Sequence, residues 1–473
     1  MFRPVPVTEE ARLLFHEGTI ALSMAETAGI RIDVPYVNAQ VKALEGQCVD
    51  LLKGIRSDEN VRRWSFSKKG ASFSPASDAN VTELLFRHMG IEPVKMKGSK
   101  PSTDKEALKA IADRAAIIPT ILEYRRRKKT LDALLDIRRE TVDGYLHPFF
   151  NLNSVQTYRS SSDSINFQNQ SARDKEMAKI IRTAFIPRTG GVLVESDLKG
   201  AEVSISACYH HDPTMVERLL ADYDQHHHKA AQIWMLEQPS DVSKMLRYCA
   251  KNMFVFPEFY GADWETCAPT LWAAATALKL ALPDGTPILE HLRRNGIVKL
   301  KSSKYAKDGS PLDVDSFERH IYKIERRMWD TEYPVYRDWK EKWWKEYCKN
   351  GGFSMLTGFY CEGYYWRNEV INFPPQGTAF HCLLKSFIET TKWLVRSGMK
   401  GSFLVGQIHD SIIADIRKEA VGEYVAQVRK ITTEELPKQW KWIVAPIPVE
   451  IEASEVNWFS KSEKSVAELS ASA

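Results

Sequence analysis

Phe403-Leu404-Val405-Gly406-Gln407-Ile408-His409-Asp410-Ser411-Ile412-Ile413-Ala414-Asp415-Ile416 is two apolar runs, FLVGQI and SIIADI, parted only by His409-Asp410. Short apolar runs around a polar pair predict a β-hairpin. An acid at its tip is poorly placed for packing, because desolvation penalises a carboxylate that no cation or donor pairs with. A second run, Val192-Leu193-Val194, leads through Glu195-Ser196 to Asp197 and predicts a strand ending in another acid. If the two strands are neighbours, Asp197 and Asp410 can jointly hold hard cations such as Mg²⁺, which takes one or two carboxylates plus phosphate oxygens. Two such ions activate an attacking oxygen and stabilise a leaving oxygen in phosphoryl chemistry. By pattern alone, structural strand-turn aspartates remain the commoner case.

The rest of the chain is compatible with a large enzyme. Its 473 residues are 44% hydrophobic and 27% charged, which excludes collagen and disorder and gives room for several lobes. A net charge of +4 is too balanced to name a partner, so basic clusters matter more than the sum. MFRPVPVTEE has no apolar signal region, and WAAATALKLAL is too short to span a bilayer. Seven dispersed cysteines without CxxC spacing disfavour a zinc ribbon or disulfide scaffold and suit a reducing compartment. No GxxxxGK[ST] loop is present.

Residues 8–55, 104–140, 214–256 and 315–350 are spaced like helices, as is Ala201 to His211, while Lys97 to Pro101 reads as a polar loop. Arg125 to Lys129 form a dense basic run, either a solvated face or a phosphate contact. Lys244, Arg247 and Lys251 fall on one helix face, where like charges repel unless an anion such as a triphosphate sits among them. The aromatic continuation FVFPEFYG tilts that face towards a ligand pocket. Of the consecutive histidines 226 to 228, one at most is expected to face a ligand. Tyr336, Trp339, Trp343 and Tyr347 read as core packing.

Five segments, in one order, resemble the family A DNA polymerases. TYRSSSDSINFQNQ is similar to TGRLSSxxPNLQNIP, SDLKGAE to motif A, RYCAKNMFVFPEFYG to motif B, INFPPQGTA to INxPxQGTA, and QIHDSI to motif C. The resemblance covers roughly residues 8–460. It implies an α+β right-hand fold with an antiparallel palm sheet, helical fingers and a helical thumb. The implied divisions are 1–35 as a palm-associated segment, 36–140 thumb, 141–235 first palm part, 236–349 fingers, 350–460 second palm part, and 461–473 a flexible tail. It implies a DNA-directed DNA polymerase, with Asp197 and Asp410 catalytic and holding two Mg²⁺. Arg247, Lys251, Phe256, Tyr260, Glu202 and His226 would meet the incoming dNTP, Glu202 by closing off the sugar 2′ position. Arg159, Asn166, Gln168, Asn169, Arg173, Asn372, Gln376 and His409 would meet primer–template DNA. Minor-groove acceptors there are nearly the same for every base pair, so such contacts check geometry without reading sequence.

Several positions depart from the family pattern. Motif B carries one extra residue between Lys251 and Phe256, and Pro257 should kink or bulge the helix; Phe256 is preferred over Val255 as the nucleotide-facing residue. Ser411 stands where the family usually has Glu, so bound metals lose a nearby charge. Asn368 replaces an arginine beside Arg367, Tyr158 replaces a glycine, and residues near 263–315 exceed the family's fingers. Thumb-like sequence starts almost at Met1, so no 3′–5′ exonuclease is expected on this chain. The reading is a cytoplasmic monomer of phage or mobile-element type, with any exonuclease, helicase or clamp on separate chains and no membrane association. The alternatives are a single-subunit-type RNA polymerase, against which Glu202 argues, and a non-catalytic primer–template-binding relative, against which both aspartates argue.

Overall fold

The computed structural model describes residues 5–169, 174–463 and 466–468. Its centre is a four-stranded sheet of β1 (Gly191–Leu198), β2 (Phe403–Ile408), β3 (Ser411–Arg417) and β4 (Val449–Ser454), ordered β2-β3-β1-β4 and antiparallel throughout. Both expected strands are therefore present, and they are direct neighbours. Residues 411 to 416 of β3 are all buried, which is why SIIADI lacks polar alternation: both faces of this strand are covered. The hairpin turns at His409, whose φ of 49° lies in the left-handed region.

Eight helices frame the sheet and the site: α1 (Glu9–Ala28), α2 (Val34–Ser57), α3 (Ile117–Glu140), α4 (Ala201–His210), α5 (Gln225–Ile233), α6 (Lys244–Ala250), α7 (Pro334–Asn350) and α8 (Arg367–Ser397). Gly200, at φ 62°, makes the sharp passage from β1 into α4, a backbone shape that costs glycine nothing sterically. One buried core joins the sheet to α1, α2, α3 and the long α8. A second core runs from Val203 to Tyr336 and includes Phe254, Val255 and Phe259. The 263–315 stretch supplies Trp264–Ala277 and Ile288–Arg294 to that second core, burying Leu271, Ile288 and Leu292. Tyr336 and Tyr347 are buried as expected, and Trp339 stacks on Trp343 at 5.4 Å.

Two local expectations are corrected. The 97–101 loop is the tip of a small hairpin pairing Met96–Lys97 with Lys100–Pro101. In the basic run on α3, Arg125, Arg126 and Arg127 do not form a free solvated face, while Lys129 is exposed. Arg126 is bound by Asp174 at 2.5 Å and Glu176 at 2.7 Å, Arg127 by Glu123 and Glu176, and Arg125 by the carbonyls of Pro75 and Thr103. Arg126 and Arg127 fasten α3 to Asp174 and to Glu176 of the helix Lys175–Arg182, and Arg125 fastens it to the loops at 75 and 103. The helical block over 214–256 is built of several short helices with turns between them.

Candidate active site

Asp197 lies one residue before the end of β1, directly across from Ser411 of β3. The amide of Leu198 donates to the Asp410 carbonyl at 2.9 Å, so the hairpin tip is tied to the end of β1 and both aspartates share one end of the sheet. Burial pushes the Asp197 carboxyl above its usual range, against the opposing effect of the Ser411 hydroxyl. Burial likewise raises Asp410, to about 6, with Glu202 and Asp197 adding to the rise and Arg159 opposing it. The positive charge of Arg159 near Asp410 and of Lys461 near Asp197 does not cancel this rise, and a hard divalent cation would favour the charged forms further. Among the described residues, no group of three or more His, Cys, Asp or Glu side chains is arranged to hold a metal by itself. Two carboxylates with water and substrate phosphate oxygens form a donor set that suits Mg²⁺, so the residues present fit the ion.

Arg159 reaches both acids of this corner: it lies 3.6 Å from Asp410 Oδ1 and 3.4 Å from Glu202 Oε1. The Tyr260 hydroxyl donates to the other oxygen of Glu202. Tyr158, just before Arg159, has φ 59°, which explains a glycine in the family pattern; the tyrosine is held there by its buried ring and by donating to the Tyr360 carbonyl at 2.5 Å.

The nucleotide-facing candidates meet on one surface. The extra residue of motif B is absorbed by a π-helical turn over Lys251–Val255, closed by the Phe256 amide donating to the Lys251 carbonyl five residues back. Pro257 follows at once; having no N–H, it could not have continued the ladder. The wide turn keeps Lys251 and Phe256 together, with the ammonium 5.2 Å from the ring centroid. Phe256 stacks parallel to Tyr260 at 5.8 Å and lies 5.6 Å from His226, whereas Val255 is 1% exposed in the second core. Burial and the nearby Lys251 push His226 down to about 4, and its Nδ1 is buried without a partner. Its neighbours behave differently: His227 pairs with Asp224, and His228 stacks on Tyr223. Burial and Arg247 lower the Lys251 ammonium, with Asp224, Asp197 and Glu202 opposing.

Asp224 was not among the sequence candidates. It caps α5 and holds Arg247 through Nε at 3.0 Å and Nη2 at 3.2 Å. The anion expected between Arg247 and Lys251 is thus partly supplied by the protein, while Lys244 stays exposed. An aspartate directly before a helix-spaced run is an N-cap signal, but its pairing with Arg247 is not legible from spacing.

Among the DNA-facing candidates, the Gln168 amide donates to Ser160 Oγ and to Gln407 Oε1, both at 2.7 Å, beside the hairpin carrying His409. Asn166 accepts from Ser162 at 3.3 Å. Asn372 and Gln376 lie one turn apart on α8, and Asn372 Oδ1 is buried without a partner. Arg367 turns to Glu341, not to the place of the missing arginine at 368. Arg173 and the side chain of Asn169 lie outside the described residues.

Comparison with known proteins follows the same lines. Residues 56–277 match the family model described as DNA polymerase family A. The chain is 22% identical over 431 residues to DNA polymerase I of Aquifex aeolicus (strain VF5), covering 90% of this chain and 63% of that protein. It is 24% identical over 395 residues to the DNA polymerase of Bacillus phage SP01, covering 78% and 38%. With the thermostable DNA polymerase I of Thermus aquaticus it shares 24% identity over 459 residues, covering 93% and 47%. The chain thus spans less than two thirds of the length of these curated relatives. A solved structure, the POL domain of Pol1 from M. smegmatis in complex with DNA primer-template and dNTP, superposes with a TM-score of 0.73 at 19% identity, covering 94% of this chain and 70% of that one. That likeness gives the fold: α+β, of the right-hand polymerase type.

Proposed function

Taking residues 56–277 as part of a family A DNA polymerase domain, we propose that this chain adds deoxynucleotides to a primer 3′-OH on a DNA template. The observation that carries the reading is the meeting of Asp197 and Asp410 at one end of β1 and β3, facing Lys251, Phe256 and Tyr260. The primer 3′ oxygen attacks the α-phosphorus, the bond to the bridging oxygen breaks, and pyrophosphate leaves. Two Mg²⁺ held by Asp197 and Asp410 would lower the pKa of the 3′-OH and neutralise charge on the triphosphate.

The remaining work falls to side chains. Lys251 and Arg247 bind the triphosphate, and a phosphate beside Lys251 opposes the downward push of burial by favouring its charged form. His226, neutral near pH 7, presents a donor or acceptor without adding charge. Phe256 and Tyr260 form the aromatic wall against which a base pair would stack. Glu202, gripped by Arg159 and Tyr260, stands as a fixed obstacle to a 2′-hydroxyl. Arg159, Asn166, Gln168, Asn169, Arg173, Asn372, Gln376 and His409 are proposed to hold primer and template.

Absence of a 3′–5′ exonuclease from these residues is part of the proposal, supported by a likeness of fold to a solved POL domain over 94% of the chain. Among the described residues no helix is long and apolar enough to cross a membrane. The test is primer extension on a defined template with dNTPs or NTPs. Template-dictated addition of dNTPs in preference to NTPs is expected. Preference for NTPs would favour the RNA polymerase alternative, and no addition of either would defeat the assignment.

A further inference from the structure

Residues 195 and 197 are two apart on β1, so their side chains share one face of the sheet. Two neighbouring buried carboxylates repel each other unless donors stand between them. Glu195 is held firmly: Trp458 Nε1 donates to its Oε2 at 2.7 Å, and Lys461 Nζ lies 2.7 Å from the same atom, with both glutamate and lysine side chains 14% exposed. Its other oxygen, Oε1, is 3.2 Å from Ser411 Oγ, whose second neighbour is Asp197 Oδ2 at 2.7 Å.

A serine hydroxyl carries a single hydrogen, so Ser411 can serve one of these carboxylates at a time. The shorter contact gives that hydrogen to Asp197 in the metal-free protein, leaving a serine lone pair turned to Glu195. A cation on Asp197 takes up its negative charge. The hydroxyl is then free to rotate and donate to Glu195, which Trp458 and Lys461 already hold in place. Ser411 is also the position where the family pattern places a glutamate, so its carboxylate would otherwise be missing from this corner.

We propose that Glu195 is a positioning residue for the metal site: it takes over the Ser411 hydroxyl hydrogen when a cation occupies Asp197, which frees Asp197 Oδ2 for the ion, and it supplies from β1 the carboxylate that position 411 lacks. This rests on the polymerase reading above. Its register makes the arrangement specific, since Glu195 faces Ile413 and reaches Ser411 only along the diagonal.

The test reads Mn²⁺ affinity by electron paramagnetic resonance, using the full chain with dNTP and a primer–template ended by a dideoxynucleotide, so that no turnover occurs. Glu195→Gln is expected to weaken Mn²⁺ binding about tenfold, because an amide whose oxygen is held by Trp458 and Lys461 turns its NH2 to Ser411 and cannot accept the hydroxyl hydrogen. In a Ser411→Ala background, where no hydroxyl hydrogen has to be handed over, Glu195→Gln should weaken Mn²⁺ binding less than it does beside Ser411. Wild-type affinity in Glu195→Gln would overturn the inference, as would an equal loss from Glu195→Gln in the Ser411→Ala background. Should Glu195→Gln fail to fold, Glu195→Ala with Ser411→Glu moves the carboxylate back to β3. Mn²⁺ affinity within about threefold of wild type supports the proposal, and a tenfold loss refutes it. A wild-type chain that adds no dNTP would defeat the polymerase reading itself; dNTP addition with unmoved Mn²⁺ affinity defeats this inference alone.

Discussion

Replacing Asp410 by Asn should make the protein more stable while stopping catalysis. In the folded chain the Asp410 carboxyl is raised to about 6 by burial, with Glu202 and Asp197 contributing and Arg159 only partly offsetting. An unfolded aspartate titrates near about 3.9, so the folded state penalises the charged form by about 2 pKa units, or about 3 kcal/mol as an upper bound. The side chain is 32% exposed, and solvent screening brings the expected figure to about 1–2 kcal/mol. The sign follows from the raised value: the penalty is fully present above pH 6 and fades as pH falls from 6 towards 4, where aspartate is protonated in both states. Asn carries no charge at any pH and escapes it. Equilibrium urea unfolding with EDTA should therefore show Asp410→Asn ahead of wild type by about 1–2 kcal/mol at pH 8, and level with it near pH 4. A variant less stable than wild type at pH 8, or a difference independent of pH, would refute the reasoning about this burial.

Glu202→Ala removes the side chain that Arg159 and Tyr260 hold over the proposed sugar site, so the ratio of ribonucleotide to deoxynucleotide incorporation should rise at least about tenfold, or about 1.4 kcal/mol, in single-nucleotide kinetics. Phe256→Ala and Val255→Ala separate the two faces of the π turn. The first should raise the dNTP KM about tenfold with little loss of stability, having removed a ring that stacks on Tyr260. The second should leave KM unchanged and cost about 2 kcal/mol in denaturant unfolding, because Val255 is core. Arg126→Ala should destabilise the chain by about 1–3 kcal/mol, by stranding Asp174 while Glu176 keeps Arg127, and the loss should shrink in high salt.

Much of the sheet was legible because apolar runs and turn residues are local signals. FLVGQI, SIIADI and VLV became strands for the reason their composition suggests, and the hairpin placed Asp410 where its polar neighbours implied. The single-residue excess in motif B was visible as a count, but not its solution: the widened turn at Lys251–Val255 depends on backbone geometry that residue spacing cannot encode. The basic run on α3 misled because its partners, Asp174 and Glu176, lie some fifty residues away. Long-range charge pairing leaves no periodic trace. Arg247 differs in the same way, since Asp224 is brought to it by packing of α5 on α6. Ser411 read as a lost charge, and only the strand register reveals Glu195 beside it.

The account stands most directly on Asp197 and Asp410 acting together in nucleotide addition. The decisive measurement is single-turnover addition of one templated dNTP with Mg²⁺, comparing wild type with Asp197→Asn and Asp410→Asn, each verified as folded. Loss of about a thousandfold or more in the rate of addition is expected for each variant, with primer–template affinity retained, as for groups acting mainly in the transition state. Addition at near the wild-type rate by either variant would contradict the account.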